Sequence, residues 1–161
     1  MNRIDENIEE RTARILIDND MYNIPVDPVK IAKSYNIIVY KMKLPNMISG
    51  AIRYEKNKKE ITILVSADDT IEKQRFTVAE ELGYYILYKE KLQQDEIHLN
   101  VLDHKENEED KNVEYFAGAL LMNKTLLENA YELNNTISEL AELFNVSVTS
   151  ITLRLQVLGL I

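Results

Sequence analysis

A chain of 161 residues with 45% hydrophobic content can bury one sizeable core, and a single domain over residues 1–161 is the expected organisation. The absence of cysteine excludes a disulfide framework and a thiolate metal site, so a cytoplasmic location is expected. With 27 acidic against 19 basic side chains the net charge is -8, which repels a phosphate backbone, and neither a basic leader nor an apolar run of about 18 residues suggests a signal peptide or a membrane span.

Ile8, Ala13, Ile15 and Leu16 recur at helical spacing between Asn7 and Met21 and predict a first helix. A second is expected to start at Asp27, with Pro28 as its first residue, and to end near Tyr35 and Asn36. Three β-rich runs follow, Ile37 to Met42, Ile48 to Tyr54 and Ile61 to Ser66, broken by the Pro45-Asn46 turn and the charged Glu55 to Glu60 loop. They read as a small antiparallel sheet. Asp69 with Glu72 resembles a capping box and predicts a long helix reaching Lys91.

Asp95 to Asp110 is polar and reads as irregular, and the only histidines of the chain, His98 and His104, read there as surface residues. Helical periodicity resumes from Asp110 to Met122 through Val113, Phe116, Ala117, Leu120 and Leu121. Thr136 and Glu139 form a further capping box, followed by a Val146-Ser147 turn and a last amphipathic helix, so residues 136–161 resemble a helix-turn-helix appended to residues 1–135. From Thr125 onward the only basic residue is Arg154, against Glu128, Glu132, Glu139 and Glu142. Such a unit reads as a packing or protein-contact element, since a recognition helix needs several Lys or Arg contacts to phosphate.

The segment Arg75-Phe76-Thr77-Val78-Ala79-Glu80-Glu81-Leu82-Gly83-Tyr84-Tyr85-Ile86-Leu87-Tyr88 resembles the zinc helix of the ImmA/IrrE metallopeptidases, whose pattern is RFTxAHELGHxxLH. Glu80 and Tyr84 stand where that pattern has its two zinc-binding histidines. The run from Asp110 through Glu114, Phe116, Ala117, Leu120, Leu121 and Met122 is similar to the family's ExxANxFAxxLLMP. There the first acid is the third metal ligand, which places Asp110 in that role, and Glu114 replaces the usual asparagine. The resemblance covers essentially the whole chain and implies an α+β, zincin-like fold: a small antiparallel sheet packed on helices, with Glu81 at the general-base position and Arg75 and Glu114 lining the site.

Positions 80 and 84 lie one helical turn apart and project from one face, with Glu81 beside them. Zinc prefers imidazole and thiolate and needs neutral ligands to keep its water acidic; a carboxylate and a phenol supply neither. No cofactor is therefore expected, with a weakly held calcium, magnesium or manganese ion as the alternative. Glu80, Glu81, Asp110 and Glu114 are expected to converge on one volume, where like charges require a cation or retained protons. Glu80 and Tyr84 are expected to face Asp110, the Tyr84 hydroxyl donating a hydrogen bond to a carboxylate.

ImmA/IrrE peptidases cleave helix-turn-helix repressors, often encoded beside them in phages, mobile elements or stress-response loci. The resemblance implies a protein partner of that kind, no nucleic acid and no membrane, and a protein that binds without cutting. The alternative is an active metallopeptidase with a non-standard ligand set and Glu81 as general base.

Overall fold

A computed structural model describes residues 3–102, 107–133 and 135–161, which form seven helices and four strands. Helix α1 (Arg3–Asp18) leads to α2 (Pro28–Ser34), whose start follows the expected chemistry: the Asp27 carboxylate accepts from the Val29 and Lys30 amides at 3.0 and 3.2 Å, and Pro28 occupies the first helical position. Strands β1 (Ile37–Met42), β2 (Ile48–Glu55) and β3 (Glu60–Ser66) come next. Helix α3 (Ile71–Asp95) then carries the motif segment, and β4 (Ile97–Val101) follows at once. Helices α4 (Glu108–Leu121), α5 (Lys124–Glu132), α6 (Ile137–Phe144) and α7 (Val148–Val157) complete the described residues.

The sheet order is β1-β3-β2-β4, and the sheet is mixed rather than antiparallel. β2 pairs antiparallel with β3 and β4, but β1 runs parallel to β3, with Ile37 opposite Ile61 and Met42 opposite Ser66. The short link through Pro45 does not make β1 and β2 neighbours, because the β2–β3 hairpin puts β3 between them. Strand β4 falls in the stretch expected to be irregular. Its alternation is inverted: Ile97 and Leu99 are exposed, whereas His98 is half-buried and Asn100 buried.

The cap of α3 is Thr70, whose hydroxyl accepts from the Lys73 amide, one residue later than the Asp69 start read from the sequence. This helix lies between the sheet and α4, and it is buried nearly all round over Thr77 to Tyr84. Two glycines permit that position. A Cβ at Gly50 of β2 would collide with Thr77 Cγ2 and come within 2.8 Å of the Leu64 carbonyl oxygen; one at Gly83 would lie 2.7 Å from Phe116 Cδ1 on α4. Both neighbours thus press directly against the motif helix. At Tyr88 the backbone leaves helical geometry (φ -130, ψ 36), and the helix continues across this kink to Asp95.

Candidate functional site

The motif helix and the inverted strand form a site together. Glu81 is fully buried, and its Oε2 lies 3.0 Å from His98 Nδ1. Two residues along the same strand face, the Asn100 amide donates to Glu80 Oε2 at 2.7 Å. The opposite edge of the imidazole approaches α4, with Nε2 3.8 Å from Asp110 Oδ1. The Tyr84 ring covers the imidazole face, with centroids 3.8 Å apart and planes 17° from parallel. Glu80, His98, Asn100, Asp110 and Val113 line a cavity of about 30 Å3, room for about one water molecule.

The structure brings Glu80, Glu81, Tyr84 and Asp110 to one place, but by a different arrangement from the expected one. Tyr84 meets the site through its ring: among the described residues no carboxylate accepts from its hydroxyl. His98 corrects the surface reading, since its side chain is only 19% exposed and stands between the helix and Asp110. His104 lies outside the described residues. Arg75 does not line the site; its guanidinium donates to the carbonyls of Val26, Asn145 and Phe144 and so ties α3 to the entry of α2 and the end of α6. Five residues along a helix turn its side chain well away from that of Glu80. Glu114 lines a separate groove with Lys73, Phe76, Lys111 and Tyr115, one turn past Asp110. The signal that would have found His98 and Asn100 is the alternation of Ile97, Leu99 and Val101 with two polar residues.

Burial raises the pKa of Glu81; the His98 hydrogen bond and charge oppose this only in part, and Glu80 and Asp110 add to the rise. Among the described residues Glu81 Oε1 has no hydrogen-bond partner, and it lies near Gly50, consistent with a carboxyl group that holds its proton readily. For His98, burial disfavours the charged ring, but the hydrogen bond to Glu81 and the charges of Glu81 and Asp110 outweigh it and raise the pKa. Each of the two groups thus holds a proton more readily than it does free in water. Burial also raises the pKa of the Tyr84 phenol, so it is neutral at physiological pH and a poor metal donor.

These residues do not supply a zinc site. Asn100 engages one oxygen of Glu80, the fully buried Glu81 engages one imidazole nitrogen, Tyr84 is a neutral stacked ring, and His98 Nε2 faces Asp110 at 3.8 Å. Among the described residues no three His, Asp or Glu side chains converge as a metal would require.

The raised His98 pKa gives a pH dependence. A group that binds its proton more tightly when folded adds stability that is full below its unfolded value, here 6.5, and is lost as pH rises through the folded value. The stability advantage of the unmodified chain over His98→Gln, measured by urea unfolding, is thus expected to be largest just below pH 6.5 and to shrink above it. An advantage that grows with pH would contradict this assignment.

The chain belongs to the peptidase family described as the IrrE N-terminal-like domain, which it matches over residues 32–156. A transcriptional regulator from Mycobacterium tuberculosis is similar in structure, with a TM-score of 0.67 and 18% sequence identity, over 94% of this chain and 46% of that chain. This likeness establishes the α+β, zincin-like fold; the chain spans less than half the length of that regulator. No curated protein matches the sequence.

Proposed function

We propose that this chain is a non-catalytic member of its family, which binds a transcriptional repressor or a phage or mobile-element regulator without cutting it. One observation carries the reading: the carboxylate at the general-base position, Glu81, is fully buried and bonded to His98, so it does not stand ready to take a proton from water. The non-histidine residues at positions 80 and 84 point the same way. A regulatory setting is supported by the family and by the regulator that shares the fold. No part in nucleic-acid binding is proposed. Arg154, the one basic residue of the terminal helices, is 4% exposed and paired with Glu9, so it is not available to a phosphate. Among the described residues no helix is long and apolar enough to cross a membrane.

Protein purified with zinc present is expected to hold far less than one zinc per chain by elemental analysis. Mixed with a helix-turn-helix regulator encoded beside it, the chain should co-elute on size exclusion, with both partners intact by mass spectrometry. Stoichiometric zinc together with a cleaved regulator would reverse the reading. A second reading, an active metallopeptidase with an unusual ligand set and Glu81 as base, has one observation in its favour: His98 Nε2 and Asp110 line the same small cavity, 3.8 Å apart.

A further inference from the structure

We propose that the His98 imidazole occupies the place that a catalytic metal ion holds in active members of the fold, as a built-in side-chain replacement for the ion. The inference rests on the reading above that positions 80, 84 and 110 correspond to metal ligands, and it adds what fills the space between them. Three positions define that space, and the ring meets two of them, Asp110 at 3.8 Å and Tyr84 face to face at 3.8 Å, while Glu81 at the general-base position is bonded to it at 3.0 Å. The third, Glu80, shares with the ring a cavity of about 30 Å3 and is engaged by Asn100 from the same strand.

Sterics and charge support the same conclusion. Metal ligands stand at about 2.0–2.2 Å from their ion, and with the imidazole stacked on Tyr84 and 3.8 Å from Asp110, an ion held by those two positions would have to displace the ring. An emptied site would also leave Glu80, Glu81 and Asp110 close together, a crowding that costs free energy unless a donor or cation intervenes. Strand β4 provides two such groups, two residues apart on one face: a ring nitrogen for Glu81 and an amide for Glu80. Tyr84 in place of a smaller imidazole gives the ring a flat surface to stack on.

The test is calorimetric titration with zinc chloride of the full chain and three variants: His98→Ala, Glu80→His with Tyr84→His, and the combination of all three changes. The unmodified chain and His98→Ala are expected to bind no zinc. The pair of histidines should restore binding with Asp110 as third ligand, but weakly, because the resident ring must first leave. Removing His98 in that background should tighten binding by roughly tenfold or more, as expected when a competing conformation no longer occupies the site. Zinc in the unmodified chain would overturn both this proposal and the non-catalytic reading. No zinc there, with the two-histidine variant as tight as or tighter than the triple variant, or with neither binding, would overturn the proposal alone. Should the variants fail to fold, the ring can be watched in the unmodified chain by NMR. Its nitrogen and Cε1 proton signals should not move in several equivalents of zinc, and a shift at the first equivalent would overturn the proposal.

Discussion

Replacing Arg154 by alanine is expected to lower the folding free energy by about 3–5 kcal/mol, the range for breaking a buried ion pair on one side. The guanidinium is 4% exposed; it meets the Glu9 carboxylate at 2.7 and 2.9 Å and donates to the Met122 carbonyl at 3.1 Å. The Tyr115 hydroxyl donates to the same carboxylate at 2.9 Å. One residue on α7 thereby holds α1 and the end of α4, and its loss leaves Glu9 charged and largely buried. With a urea slope of about 1–3 kcal/mol per molar, the unfolding midpoint should drop by at least about 1 M. The joint replacement Arg154→Met with Glu9→Leu should cost clearly less than Arg154→Ala, since no charge is then left unpaired. Loss of less than about 1 kcal/mol in Arg154→Ala would show that water screens the pair as it does a surface contact.

The second large effect lies where the motif helix crosses α4. Phe116 is fully buried and its ring packs on Gly83, so Phe116→Ala is expected to cost about 3–5 kcal/mol through the cavity it leaves. Gly83→Ala should also destabilise, by about 1–3 kcal/mol, because the new Cβ would come 2.7 Å from Phe116 Cδ1. The two changes act on one contact and should not add. In the Phe116→Ala background the extra methyl enters the space vacated by the ring, and Gly83→Ala should become neutral or favourable. Simple additivity in the urea cycle would mean that the helices separate to absorb the methyl group, against the close crossing seen here.

How much of this was legible in the sequence depended on whether the signal was local. Asp27 with Pro28 and Thr136 with Glu139 announced their helices because a cap is a contact within four residues. The segments of β1, β2 and β3 were recognisable from their β-branched residues, but strand patterns carry no information on partners, and the parallel pairing of β1 with β3 was not visible. Helix α5 was not anticipated at all. At the site, one-turn spacing put Glu80 and Tyr84 on one helix face, and the family likeness added Asp110. That likeness also suggested Arg75 and Glu114, yet Arg75 serves backbone carbonyls and Glu114 lies on another groove. His98 and Asn100 were missed because their strand shows its apolar residues to solvent, the reverse of the usual rule that polar positions face water. A short strand of that kind marks a place where the interior itself is polar.

Strand β4 is five residues long and, among the described residues, is paired on one side only, to β2, at the outer edge of the sheet. The free energy needed to open such a segment is a fraction of that for global unfolding, and amide exchange reports it directly. The chemistry around Glu81 is thus sealed not by the deepest layer of the core but by a short edge strand. Fraying of β4 would carry both His98 and Asn100 away from their carboxylates in one event. Solvent would then reach Glu81 and Glu80 at the same moment, so the two acids share a single opening equilibrium, whatever the difference in their own surroundings.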